Sequence, residues 1–130
     1  MADDRVARGR ALGAQIWGDA FEQRSGPYWE RLDPAFREFI EGFVFGDVWS
    51  RPNLDLRTRS LCTIAALTAL GRLNQLESHV TGALANGATR EEIVEVLLHT
   101  AVYAGFPAAW DGLEVTRRIF AKLSGTQEGG

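Results

Sequence analysis

A chain of 130 residues, 45% hydrophobic and 24% charged, is long enough for one compact domain with its own core. A single cysteine, Cys62, excludes an intrachain disulfide, a Cys-pair zinc site and a CxxC redox centre. The formal charge of -3 argues against a nucleic-acid partner, which needs concentrated basic charge. The longest apolar run, Leu61 to Leu70, is about half of the roughly 18 residues that a membrane span requires. The acidic start Met1-Ala2-Asp3-Asp4 lacks a signal-peptide core. The expectation is a soluble, cytoplasmic protein, with one domain over residues 1–123 and a flexible tail over 124–130.

Helical punctuation runs through the sequence. From Asp4 to Phe21, apolar residues at Val6, Leu12, Ile16, Trp17 and Phe21 follow a loose 3.6-residue period. The stretch Arg24-Ser25-Gly26-Pro27 is read as a break. Asp33-Pro34 announces a second helix with the apolar face Phe36, Phe39, Ile40, Phe43 and Val44, ending near Gly46. Residues 47–54 are read as a loop. Asp55 caps a third helix that runs to about Leu70. A fourth covers Arg72 to Ala85 and leaves through Asn86-Gly87 by a left-handed residue. Thr89-Arg90-Glu91-Glu92 is a capping box for a fifth, with the stripe Ile93, Val96, Leu97, Thr100, Ala101 and Ala104. Gly105-Phe106-Pro107 starts a sixth, which carries Leu113, Thr116, Ile119 and Phe120. The class is all-α, with about six helices. Leu61 to Leu70 is apolar nearly all round, so it is buried on most sides. That pattern suggests burial against a second copy of the chain; a monomer with this helix at its centre is the competing reading.

Metal and nucleotide signatures are missing from the pattern. His79 and His99 are the two histidines and share no HxxxH or HExxH spacing, and neither a P-loop nor GxGxxG occurs. Chemistry here would be metal-free acid–base work. Arg72, Gln75, Leu76 and His79 share one helix face at i, i+3, i+4 and i+7. That places a polar group with a proton exchangeable near neutral pH on an otherwise apolar fold; a surface or satisfied core histidine is the plainer alternative. In Arg57-Thr58-Arg59-Ser60, the two arginines cannot share a face, so at most one turns inward as a fork for a carboxylate. Ser60 is either a polar site residue or a small packing residue. His99, Tyr103 and Trp110 surround the Gly105-Phe106-Pro107 corner, and the Trp49 loop offers a lid, an aromatic wall or an interface anchor.

Four stretches together resemble the carboxymuconolactone decarboxylase family, within the wider alkylhydroperoxidase-D-like fold. They are Gly46-Asp47-Val48-Trp49-Ser50-Arg51-Pro52; Thr58-Arg59-Ser60-Leu61-Cys62-Thr63-Ile64-Ala65; His79 with Asn86-Gly87-Ala88-Thr89-Arg90-Glu91-Glu92-Ile93; and Ala101-Val102-Tyr103-Ala104-Gly105-Phe106-Pro107-Ala108-Ala109. The resemblance implies cofactor-free decarboxylation of 4-carboxymuconolactone in protocatechuate breakdown, the β-ketoadipate pathway, by a homotrimer or homohexamer. It implies His79 as site histidine, with Arg59 and Ser60 beside it; a mechanism consistent with these residues makes His79 the proton donor. Substrate contacts would come from Arg72, Gln75, Trp49, His99, Tyr103 and Trp110. The peroxidase branch of the superfamily has CxxC before its histidine, at positions held here by Arg72 and Gln75, so thiol–disulfide chemistry by that route is excluded.

Three positions depart from the family pattern. Thr81 stands where an Arg commonly follows the site histidine, His99 stands in place of Gln, and Trp110 replaces a smaller polar residue. They imply a less anionic, more aromatic substrate. Isomerisation, cyclisation or hydrolysis of such a substrate is the alternative within the fold. A non-catalytic oligomeric scaffold is the alternative outside it.

Overall fold

A computed structural model describes residues 2–125, which are helical apart from short turns and connections, with no strand among the described residues. Seven α-helices are formed among the described residues, one more than the sequence pattern announces. The chain divides into two compact units, Met1–Asp55 and Leu56–Gly130.

In the first unit, α1 (Ala2–Trp17) ends at Gly18, whose φ of 65° suits a residue without a Cβ. Residues 24–27 do not break the chain. A π-helical turn, Phe21–Ser25, runs directly into α2 (Gly26–Leu32), with Pro27 in its first turn where a missing N–H costs nothing. Asp33 then caps α3 (Pro34–Glu38) by accepting from the Ala35 N–H at 2.8 Å. From α3 the helix continues as an 11-residue π-helical segment, Phe39–Trp49, through Gly46 and the first three residues of the predicted loop; residues 50–54 remain turn and loop as predicted.

This segment packs on α1 with almost no separation between backbones. A Cβ on Gly9 would lie 1.6 Å from the Glu41 carbonyl oxygen, and one on Gly46 would lie 2.2 Å from that of Arg5. The close approach selects which face is buried. Glu41, Gly42, Phe45, Gly46 and Trp49 turn inward, four residues apart or nearly so, whereas Phe36, Phe39 and Phe43 are exposed. The predicted phenylalanine stripe is therefore the outer face. Inside, Phe21 stacks on Trp17 at 5.9 Å and meets Phe45 and Trp29 edge-on at 5.4 Å.

Glu41 is 1% exposed and receives Arg10 Nε at 3.0 Å and Arg37 Nε at 3.2 Å on one oxygen. Burial opposes the charge on Arg37, but Glu41 and Glu30 outweigh it and hold the guanidinium above its ordinary range.

In the second unit, α4 (Leu56–Leu70) turns at Gly71, φ 70°, into α5 (Leu73–Ala85). The end of α5 is a Schellman motif: Gly87 N–H bonds the Leu84 carbonyl at 3.1 Å and Ala88 N–H bonds that of Ala83 at 2.9 Å. Gly87 has φ 97°, the left-handed exit that Asn86-Gly87 predicts. The capping box on α6 (Arg90–Ala104) is present in both directions, with Glu92 N–H to Thr89 Oγ1 at 3.0 Å and Thr89 N–H to Glu92 Oε1 at 2.9 Å. Gly105, φ 102°, separates it from α7 (Phe106–Ser124). Ser124 closes α7 and Gly125 caps it; the rest of the predicted tail, 126–130, lies outside the described residues.

The core of this unit joins Ile64, Leu76, Val80, Ile93, Leu97, Val115, Ile119 and Phe120. On α4, Ser60, Ile64 and Thr68 are buried, but Ala66, Ala69 and Leu70 are not. The helix is not enclosed on all sides by its own chain.

Two glycines one turn apart give a direct test of the α1 packing. Gly46→Ala must displace backbone and is expected to cost at least about 2 kcal/mol. A Cβ on Gly42 meets Val6 at an ordinary 3.4 Å, so Gly42→Ala is expected to be neutral or to stabilise by up to about 1 kcal/mol. Urea midpoints of the two variants check the contrast.

Candidate active site

Ser60 and His79 lie on two packed helices, α4 and α5. Ser60, 1% exposed, accepts a hydrogen bond from Asn86 Nδ2 at 2.9 Å. The contact ties the start of α4 to the end of α5. On α5, His79, Gly82, Ala83 and Asn86 recur at i, i+3, i+4 and i+7, so the histidine shares a face with the residue that holds Ser60. The sequence reading treats Asn86 only as a helix exit; its cross-helix role depends on a contact 26 residues away in the chain.

The four positions 72, 75, 76 and 79 grade from solvent to core. Arg72 and Gln75 are exposed, Leu76 is fully buried, and His79 is partly buried between them. Burial pushes the His79 imidazole down to about 4, because removing water penalises the charged form. At neutral pH its resting state is therefore the neutral ring. Thr81, two residues on, is partly buried, with its hydroxyl 3.5 Å from the Glu77 carbonyl.

The two arginines separate as their spacing requires. Arg57 pairs with Glu92, whose other oxygen serves the α6 capping box. Arg59 is partly buried, with its Nε shielded from solvent.

The remaining candidates sit elsewhere. His99 and Tyr103 lie one turn apart on the outer side of α6, with ring centroids 5.3 Å apart and Tyr103 81% exposed. Trp110, on α7, is exposed and donates from Nε1 to Glu114 Oε1 at 2.6 Å. Trp110 and Phe106 line an open groove of about 690 Å³ with Leu98, Leu113, Arg117 and Arg118. A second groove of about 480 Å³ runs along Arg90, Glu95, Arg117 and Phe120. His79, Ser60 and Arg59 line neither. Trp49 is not a loop residue: it ends the π-helical segment of the first unit, 8% exposed, with Phe45 at 5.5 Å. Among the described residues, no group of three or more His, Cys, Asp and Glu side chains is placed to hold a metal ion. No helix among them is long and apolar enough to cross a membrane.

Comparison with known proteins adds the family. The sequence profile of the Carboxymuconolactone decarboxylase family matches residues 34–118. The chain belongs to that family. A 4-carboxymuconolactone decarboxylase from Acinetobacter baylyi is 36% identical over 121 residues, covering 93% of this chain and 90% of its own. A nitrosuccinic acid decarboxylase from Metarhizium robertsii is 39% identical over 82 residues, 63% of this chain and 57% of its own. An uncharacterized 15.0 kDa protein from Paracoccus denitrificans is 34% identical over 111 residues, 84% of this chain and 83% of its own. With relatives named as decarboxylases, the enzyme class of this family member is that of a carboxy-lyase.

The depressed His79 value has a consequence for folding. Between the ordinary histidine value near 6.5 and about 4, the unfolded chain binds a proton that the folded chain does not. Stability contributed by this site is present above pH 6.5, falls as the pH drops toward 4, and levels off below. The full loss is on the order of 3 kcal/mol. Urea titrations across that window are expected to show a shallower acid decline for His79→Gln than for the parent chain.

Proposed function

We propose that this chain is a cofactor-free decarboxylase acting on 4-carboxymuconolactone or a closely related lactone acid, at a site built on α4 and α5. The observation that carries the reading is the partly buried, neutral His79 in a family member with a decarboxylase relative along 93% of the chain. In the reaction, the bond from the carboxylate to its carbon breaks and CO2 leaves. The electron pair enters the conjugated lactone, forming a dienolate, and a proton returns to carbon. One proton is consumed per turnover.

A site that excludes water favours the first step, because the departing carboxylate loses the solvation that stabilises it. Arg59, with its shielded Nε, suits the role of holding the carboxylate or the developing oxyanion through charge-assisted bonds. Exposed Arg72 and Gln75 suit the rim. His79 starts neutral. An anionic substrate beside it raises its proton affinity, so a proton is taken up with the substrate and is available for delivery to carbon. His79→Gln is expected to reduce CO2 release from enzymatically generated 4-carboxymuconolactone by roughly 10²–10⁴-fold with helix content unchanged. Turnover like that of the parent chain would remove His79 from the mechanism, and turnover by the parent would exclude the non-catalytic scaffold.

A second reading keeps the site and changes the substrate. The relative named for nitrosuccinic acid acts on an acid whose nitro group, like a conjugated lactone, is an electron sink near a carboxylate. Thr81, two residues after His79, where an Arg commonly stands in the family, fits a substrate with less negative charge than 4-carboxymuconolactone. Isomerisation, cyclisation or hydrolysis of such a substrate would give product without CO2.

The assembly belongs to the same proposal: a homotrimer or homohexamer, in keeping with the cytoplasmic location expected from the sequence. Leu70, Val102, Phe106 and Trp110 in the second unit and Phe39 and Phe43 in the first are all more than half exposed, and apolar surface of that extent favours association. Analytical ultracentrifugation is expected to give a species of three or six chains; a monomer at micromolar concentration would refute the assembly.

A further inference from the structure

The Ser60 hydroxyl behaves differently from three threonines on the helices of its unit. Thr63 donates to the Arg59 carbonyl at 2.8 Å, Thr100 to that of Val96 at 2.7 Å, and Thr81 toward that of Glu77 at 3.5 Å. Each spends its hydrogen on the carbonyl four residues back, the usual outcome for a hydroxyl in a helix. Ser60 instead accepts, from Asn86 Nδ2 at 2.9 Å, although it too lies on a helix and is 1% exposed. A hydroxyl has one hydrogen and two acceptor positions. One acceptor position is taken by the amide, and Ser60 Oγ makes no hydrogen bond to an α4 carbonyl among the described residues, so its hydrogen is left for an acceptor outside that backbone.

Asn86 is well placed to impose that direction. The Schellman turn at Gly87 and Ala88 sets the backbone there, and Asn86 N–H is itself bonded to the Gly82 carbonyl at 3.0 Å. The side chain therefore leaves α5 from a rigid point. His79 lies seven residues earlier on the same face, about 10 Å away along the helix axis.

We propose that Asn86 is a positioning residue: by donating to Ser60 Oγ, it turns the Ser60 hydrogen toward an anionic oxygen of the bound substrate, while His79 serves the carbon that receives the proton. The inference rests on the reading of α4 and α5 as the active site. It differs from that reading in assigning a role to a residue that touches neither substrate nor proton. Asn86→Asp keeps the size and the helix exit but reverses the bond, since a carboxylate accepts the Ser60 hydrogen instead of supplying one of its own.

The test measures kcat and KM for CO2 release from 4-carboxymuconolactone in Asn86→Asp, Ser60→Ala and the double variant, together with the side-chain amide resonances of Asn86 by 15N NMR. Asn86→Asp is expected to lower kcat at least tenfold with KM changed less than threefold. In the Ser60→Ala background the same substitution is expected to cost nothing further. The Asn86 amide protons are expected to exchange slowly in the parent chain and to shift in Ser60→Ala. A parent-like kcat in Asn86→Asp overturns the proposal, as does an equal loss with and without Ser60. If the parent chain releases no CO2, the decarboxylase reading fails on its own account. The amide resonances then decide the tether, which is overturned if they exchange freely and do not respond to Ser60→Ala.

Discussion

Polar groups closed off from water by helix packing must find a partner or give up their charge, and that constraint shapes both units. Glu41 is enclosed where α1 lies against the π-helical segment, and two arginines converge on one of its oxygens. Ser60 is enclosed between α4 and α5, and Asn86 reaches it. His79 meets the constraint the other way, by staying neutral. The buried hydroxyls of Thr68 and Thr116 and the second oxygen of Glu41 make no hydrogen bond, so the constraint is met only in part. Each enclosed group is costly to leave unsatisfied, at about 1–3 kcal/mol, so the packing that hides it also limits which side chains can stand there.

The same physics links packing to chemistry. A histidine on an exposed helix face would be partly protonated near neutral pH and strongly solvated. Partial burial makes His79 a neutral group at rest, and in the proposed mechanism its proton affinity responds to an arriving anion. The proposed decarboxylation profits from such a site because charge at the reacting centre moves: carboxylate first, then oxyanion, then an uncharged carbon. Fixed donors that need no reorganisation serve that sequence better than water does.

Much of the second unit could be read from the chain. The capping box at Thr89, the left-handed exit at Gly87 and the corner at Gly105 are local signals, since each depends on atoms within a few residues. Ile93, Leu97, Thr100, Ala101, Thr116, Ile119 and Phe120 are buried as their periodicity requires. The first unit was harder to read. Periodicity assigns Phe36, Phe39 and Phe43 to the inside, because large apolar side chains are the ordinary mark of a buried face. Glycine backbones instead let α1 approach the opposite side so closely that Glu41 and Gly46 are buried there. The π-helical winding and the passage of helix through Gly26 and Pro27 likewise have no signature in a 3.6-residue pattern.

Sequence by itself determined the all-helical class, the caps and turns of the second unit, and the residue types from which a metal-free acid–base site can be built. Family-wide motif order pointed to His79, Arg59 and Ser60 as a group. Tertiary structure alone decided that Arg57 turns to Glu92, that Ser60 is held by Asn86, and that His79 rests uncharged. The reason is range. Capping and left-handed turns are settled by neighbouring backbone atoms, whereas burial, desolvation and hydrogen bonds between helices depend on surfaces that meet only after the chain has folded.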